Sequence, residues 1–186
     1  MTLTRRRLLA GAGGALSWNL AVGRVIAQSS DQVVEVHMKS DAAGGLVGFD
    51  PVGVILQPGQ VVRWICDSNV HTTTAYSPKN DNHSLRIPET AASWASDFLQ
   101  PGQAFEVKFT VEGVYDYYCA PHEMAGMVGR LIVGKPVGPG SLPFDYFVAQ
   151  GQSWQPVPPA AQKIFPSVAE IEQQRIVHSQ LKFSAL

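Results

Sequence analysis

The sequence predicts an all-β fold, a sandwich or barrel of short strands. Two observations carry it. Apolar and polar residues alternate in short runs from Val33 to Val133, and turn signals such as Pro58-Gly59 and Glu112-Gly113 separate those runs at close intervals. Alternation places every second side chain on one face, as a half-buried strand requires.

Taken in order, VVEVHM (33–38) alternates. GGLVGFDP (44–51) bends at its glycines and stops at proline. VGVILQPGQVVRWIC (52–66) holds two runs around the Pro58-Gly59 turn, and HTTTAY (71–76) is β-branched and alternating. The stretch 77–101 is a long excursion with Trp94 and Phe98 and weak helical character. FEVKFTVEGVYDYYC (105–119) alternates on both sides of Glu112-Gly113, and MVGRLIV (127–133) closes the series. Together 28–134 read as one domain.

Beyond Gly134 the composition changes. Seven of the thirteen prolines lie between Pro136 and Pro166, which excludes regular structure and predicts an arm over a surface or a linker for 135–186. Ser167-Val168-Ala169-Glu170 is a capping box, and it predicts a short amphipathic helix over about 167–178 with Val168, Ile171, Arg175 and Ile176 near one face, covering the sandwich.

The first 27 residues read as an export signal. Arg5, Arg6 and Arg7 precede an Ala/Gly-rich apolar stretch, and Val25-Ile26-Ala27 offers a cleavage site before Gln28. Thr4-Arg5-Arg6-Arg7-Leu8-Leu9 resembles the twin-arginine motif. The expected location is therefore periplasmic or otherwise extracytoplasmic, with no membrane span in the mature chain. The formal net charge is −1, and losing Arg5, Arg6, Arg7 and Arg24 takes it to about −5, which excludes an electrostatic attraction to nucleic acid and mildly favours a basic or neutral partner face. No internal repeat, phosphate-binding loop, dinucleotide fingerprint or nucleophile elbow occurs.

CAPHEMAGM (119–127) concentrates the chemistry. Two cysteines in an exported chain suggest a Cys66–Cys119 disulfide. The alternative is a metal site. One thiolate with imidazoles and a thioether is a soft donor set that selects copper, and two histidines with one cysteine and a weak axial methionine make a blue-copper electron-transfer site. Cys119 and His122 are close enough for one tight turn to bring both to one ion, and Met127 follows after a short loop. Met124 is only two residues past His122, a short reach for an axial position. The second histidine comes from elsewhere: His71 follows the turn-like Asp67-Ser68-Asn69, whereas His37 lies in a strand, His83 in the polar loop Asn80-Asp81-Asn82 and His178 in the tail helix. On the metal reading Cys66 is a small buried thiol.

Three stretches resemble the cupredoxins, the type 1 blue copper proteins of the plastocyanin, pseudoazurin and halocyanin type. They are Phe49-Asp50-Pro51 with Val54 to Trp64, Pro101-Gly102 with the strand from Phe105, and Gly113 to Gly129 with the ligand loop at intact spacing. The resemblance implies a Greek-key β-sandwich with copper at one end, held by His71, Cys119, His122 and Met127, one type 1 copper per chain cycling between Cu(I) and Cu(II). It implies an electron carrier with no substrate-converting site, whose partners (a cytochrome, a reductase or an oxidase) dock near His122 on an apolar patch of Pro121, Met124 and Ala125. Where many relatives have asparagine after the first histidine, this chain has Thr72, whose hydroxyl can do part of the work of tying the ligand loops together. A copper oxidase or nitrite reductase needs His-x-His pairs, and none occurs. A copper storage or delivery protein is the alternative, though with four methionines, one of them the initiator, the sequence is poor in the exposed clusters such a role favours.

Overall fold

The computed structural model describes residues 32–183; the expected export signal at 1–27 lies outside them. Among the described residues the strands are β1 (Val33–Ser40), β2 (Val47–Asp50), β3 (Gly53–Leu56), β4 (Val61–Cys66), β5 (Thr74–Ala75), β6 (Ala104–Lys108), β7 (Gly113–Tyr118), β8 (Val128–Val133) and β9 (Ile176–Val177). They form two sheets, β2-β1-β4-β6 and β5-β7-β8-β3-β9. β1 runs parallel to β4 and β3 parallel to β8, because the chain changes sheet between β2 and β3 and again between β3 and β4. This is the expected Greek-key β-sandwich.

Alternation decides what lies between the sheets. In β4, Val62, Trp64 and Cys66 point inward and are fully buried, and β1 contributes Val36 and Met38. Trp64 packs its ring against Trp94, Phe109 and Tyr117, with centroids 5.4 to 6.2 Å apart. Aromatic pairs at such distances add to the burial of apolar area.

The outer face of the second sheet departs from the simple pattern. β7 and β8 are buried at every position. Tyr115, Tyr117 and Leu131 join the main core, while Val114, Tyr118, Val128 and Ile132 belong to two smaller clusters completed by Val157, Ala161, Ile171 and Val177. The proline-rich segment is therefore a third layer over the sheet.

That layer is fastened by buried charge. Asp116 on β7 faces Arg130 on β8 across the strand pair. Arg130 donates to Asp116 from Nε at 2.7 Å and from its terminal nitrogen at 3.0 Å, and Arg86 donates from Nε at 3.0 Å. The remaining donors of Arg86 reach the carbonyls of Pro139, Gly140, Leu142 and Pro143, and Arg130 reaches that of Pro166. One carboxylate thus neutralises one of two guanidinium charges, and arm carbonyls satisfy the rest. Gly140 permits the close approach, since a Cβ there would lie 2.6 Å from the Val114 carbonyl oxygen and 2.7 Å from that of Arg86.

The arm contains α1 (Pro159–Gln162) and α2 (Val168–Gln174). The first corrects the expectation of no regular structure between Pro136 and Pro166, because proline fits the first position of a helix, where no amide partner is needed. Ser167 caps α2 by accepting from the Glu170 amide at 3.1 Å. The helix ends earlier than about 178: Arg175 has a positive φ of 68°, and the chain becomes β9 on the open edge of β3. His178 consequently lies outside the helix, exposed, with Nδ1 2.9 Å from Asp50. The excursion 77–101 shows no helix. Apart from local turns its backbone bonds go outward, with bridges to Thr74 from Ala95 and to His71 from Leu99, and of the expected 71–76 strand only Thr74–Ala75 pairs with β7.

Replacing Asp116 by alanine leaves two buried guanidinium groups without a counter-charge, and unfolding by urea is expected to show a loss of about 3–5 kcal/mol. Limited proteolysis should then cut within 135–166 while the sandwich persists; an arm as protected as in the unaltered protein would contradict this account of its attachment.

Candidate metal centre

At one end of the sandwich two segments meet. His71 enters from the first-sheet side, behind a turn in which Asn69 takes a positive φ of 60°. Its backbone is bonded in both directions to Leu99, at 3.2 and 2.8 Å. Its Nε2 lies 3.0 Å from the Ser40 hydroxyl, and Ser40 is fixed in turn by two bonds to Ser68. With Nε2–H donating to Ser40, Nδ1 keeps its lone pair for a metal.

The second segment follows β7. Cys119 starts a 3-10 turn over Ala120–Ala125, opened by Pro121 and closed by Gly126 in the left-handed conformation at φ 84°. The Cys119 amide donates to the Met127 carbonyl at 3.0 Å, and the Met127 amide donates to the His122 carbonyl at 3.1 Å. Thr72 joins the two segments: its amide donates to Cys119 Sγ at 3.3 Å and its hydroxyl accepts from the Ala120 amide at 2.8 Å. The threonine therefore ties the His71 segment to the Cys119 turn.

These contacts bring Cys119 Sγ, His71 Nδ1 and His122 Nδ1 into a triangle with sides of 3.2, 3.4 and 3.7 Å. Its centre is about 2.0 Å from each atom, close to the length of a bond between a first-row metal ion and imidazole. Among the described residues this is the one cluster of histidine, cysteine and carboxylate donors able to hold an ion. Met127 is fully buried at the close of the loop, whereas Met124 is 74% exposed. Burial lowers the pKa of both imidazoles, His71 to about 4 with help from His122, so both are neutral near pH 7. Burial also pushes the Cys119 thiol up to about 11, so binding a metal releases its proton. A compact set of two imidazoles and one thiol, without carboxylate, fits copper.

A family model described as copper binding proteins, plastocyanin/azurin family, matches residues 35–134. The chain belongs to that family. Pseudoazurin of Methylorubrum extorquens is 32% identical over 131 residues, covering 69% of this chain and 77% of that protein. Chloroplastic plastocyanin of Tetradesmus obliquus is 33% identical over 102 residues, covering 52% of this chain and 66% of that one. The crystal structure of pseudoazurin from Methylobacterium extorquens AM1 superposes with a TM-score of 0.51 at 27% identity, over 77% of this chain and 97% of the other. Copper is accordingly the cofactor of this cupredoxin.

The other histidines lie outside this cluster. His37 is partly exposed against Asp67 at 2.9 Å. His83 is not solvated: it is buried, stacks on Tyr118 at 4.6 Å and lies 3.1 Å from Glu123. The polar run around it faces the arm, where Ser84 and Gln155 pair through the backbone. Cys66 is a free, buried thiol directed at the Ser68 and Asn69 carbonyls, not a disulfide partner. Ser40 and Glu123 carry no motif, and only long-range contact reveals them.

Burial acts to lower the His83 pKa, but Glu123 and the Asn80 carbonyl outweigh it and raise the value above the ordinary 6.5. A group raised in the folded state contributes stability that is complete below its unfolded pKa and is lost as pH rises through the folded one. Urea unfolding should therefore show the unaltered protein losing stability relative to His83→Gln as pH rises above the ordinary histidine value of 6.5. Parallel profiles would refute it.

Proposed function

We propose that this protein is an exported one-electron carrier in which His71, Cys119, His122 and Met127 hold one type 1 copper. The observation that carries the reading is the triangle of Cys119 Sγ and two histidine Nδ1 atoms, closed by a loop in which Met127 is buried and Met124 is not. When bound, copper supplies the redox chemistry by alternating between Cu(I) and Cu(II). The chain's own part is positional. Ser40 and Leu99 hold His71, Thr72 holds Cys119 and joins the loops, and the buried Met127 side chain helps to keep water out. Donors fixed by such contacts move little between oxidation states, which keeps reorganisation small.

His122 is only half-buried and is bordered by exposed Pro121, Met124 and Ala125. An apolar patch around a ligand edge suits brief docking of a redox protein, whether a cytochrome, a reductase or an oxidase. Export is supported by the Arg5–Ala27 layout, and a role other than substrate conversion by the lack of His-x-His pairs.

The test is the visible spectrum of the mature protein from Gln28, loaded with copper and oxidised. An intense thiolate-to-copper band, bleached by ascorbate and lost in Cys119→Ser, is the expected outcome. A colourless protein holding one equivalent of copper would favour storage or delivery instead. Absence of both copper and free thiols would mean that Cys66 and Cys119 are joined.

The two methionines should separate cleanly. Met127→Leu is expected to change the band ratio and the midpoint potential. Met124→Leu should leave the spectrum in place and slow electron exchange with a redox cytochrome severalfold in stopped flow. The reverse pattern would exchange their roles.

A further inference from the structure

The two histidines of the centre are held unequally. His71 has Ser40 on its outer nitrogen and two backbone bonds to Leu99. His122 has no such outer partner: among the described residues its Nε2 has no hydrogen-bond partner, and its backbone is bonded only within its own loop, to the Cys119 carbonyl at 3.0 Å and the Met127 amide at 3.1 Å, with no side-chain cap from Cys119. The next residue supplies what is missing. Glu123 directs its carboxylate into the protein, where Oε1 accepts from the Tyr76 hydroxyl at 2.7 Å and Oε2 from His83 Nε2 at 3.1 Å. Both grips are themselves fixed. Tyr76 is fully buried and packs its ring, tilted, against Tyr118 at 4.6 Å between ring centroids. His83 faces the Asn80 carbonyl through Nδ1 at 2.9 Å, and the backbone on either side of it is bonded to Gln155 of the arm at 2.8 Å, from Ser84 and to Asn82.

We infer that Glu123, gripped by Tyr76 and His83, is a positioning residue that fixes where the His122 imidazole stands in the metal centre. The inference rests on the ligand set proposed above. Glu123 and His122 share one short 3-10 turn, so a carboxylate immobilised by two buried partners restrains the backbone that carries the imidazole. Its effect is indirect, since its carboxylate oxygens bond Tyr76 and His83 rather than Cys119 Sγ or either histidine Nδ1 of the triangle. Copper(I) accepts fewer ligands than copper(II), so a loosened His122 weakens the oxidised state more. Loss of the grip therefore raises the midpoint potential and speeds loss of copper(II).

The experiment compares the full mature chain with Glu123→Gln, His83→Gln and Tyr76→Phe. Copper(II) transfer to a chelator, the midpoint potential and the thiolate-to-copper band are followed in copper-loaded protein, and the His122 ring resonance in metal-free protein by NMR. Partners that orient a ligand typically cost 10-fold to 100-fold in metal affinity when lost, so about 10-fold weaker binding is expected for Glu123→Gln. A higher potential, an altered band ratio and a broadened His122 signal should accompany it. Tyr76→Phe keeps the buried ring and removes one hydroxyl, and should move every readout the same way by less, even where Glu123→Gln folds poorly. Variants that lose thermal stability but keep unaltered affinity, potential, band ratio and His122 signal would overturn the inference and leave the cluster a structural role. An unaltered protein without the thiolate band would instead refute the electron-carrier reading, while the metal-free NMR comparison would still decide the role of Glu123.

Discussion

Asp116 sits at zero exposure between two arginines, and much of the molecule is arranged around that choice. A buried carboxylate facing two guanidinium groups leaves a net positive charge in a poorly polarisable interior, and such a group of charges persists only when every donor finds an acceptor. The sandwich alone does not provide enough acceptors. The arm does, through the carbonyls of Pro139, Gly140, Leu142, Pro143 and Pro166. Proline suits this work because it presents a carbonyl and needs no partner for an amide hydrogen. The density of prolines that limits 136–166 to one helical turn and short 3-10 turns is what lets the arm surround the arginines.

The same layer reaches the metal end. α1 and Ile164 lie against the turn that carries His122, and the backbone of Gln155 holds the segment around His83, which grips Glu123. His71 is secured differently, by Ser40 and by Leu99. The candidate copper site is thus assembled from two supports, one belonging to the sandwich and the other depending on the arm.

How much of this the sequence discloses follows from the range of each interaction. Cys119, His122 and Met127 lie within nine residues, so their spacing is a local property and could be read directly, and the alternating runs gave the strands. That His71 lies beside Cys119 and His122 was recoverable because it follows a turn signal and the other histidines sit in poorer contexts. Tyr115-Asp116-Tyr117 reads as a strand with a polar residue facing water, and nothing local says that an arm more than twenty residues later covers that face. His83 fails for the same reason: Asn80-Asp81-Asn82 resembles a solvated loop until Tyr118, Glu123 and Gln155 close over it. The tail helix was placed correctly at its capping box and too long at its end, where Arg175 adopts a positive φ without a glycine to announce it.

The main core and the two clusters under the arm are separate bodies of apolar contact. Folded proteins open in cooperative pieces of unequal free energy, and a layer with its own small clusters can lift while the central one stays packed. Lifting here would break the bonds of the arginines to the arm and release the segment around His83, yet leave Ser40, His71 and Leu99 within the sandwich. Amide hydrogens would then exchange more readily on the His122 side of the copper than on the His71 side. A metal ion held by the proposed ligands would join two regions of unequal permanence as a rivet does, and the less permanent side would set how long it stays.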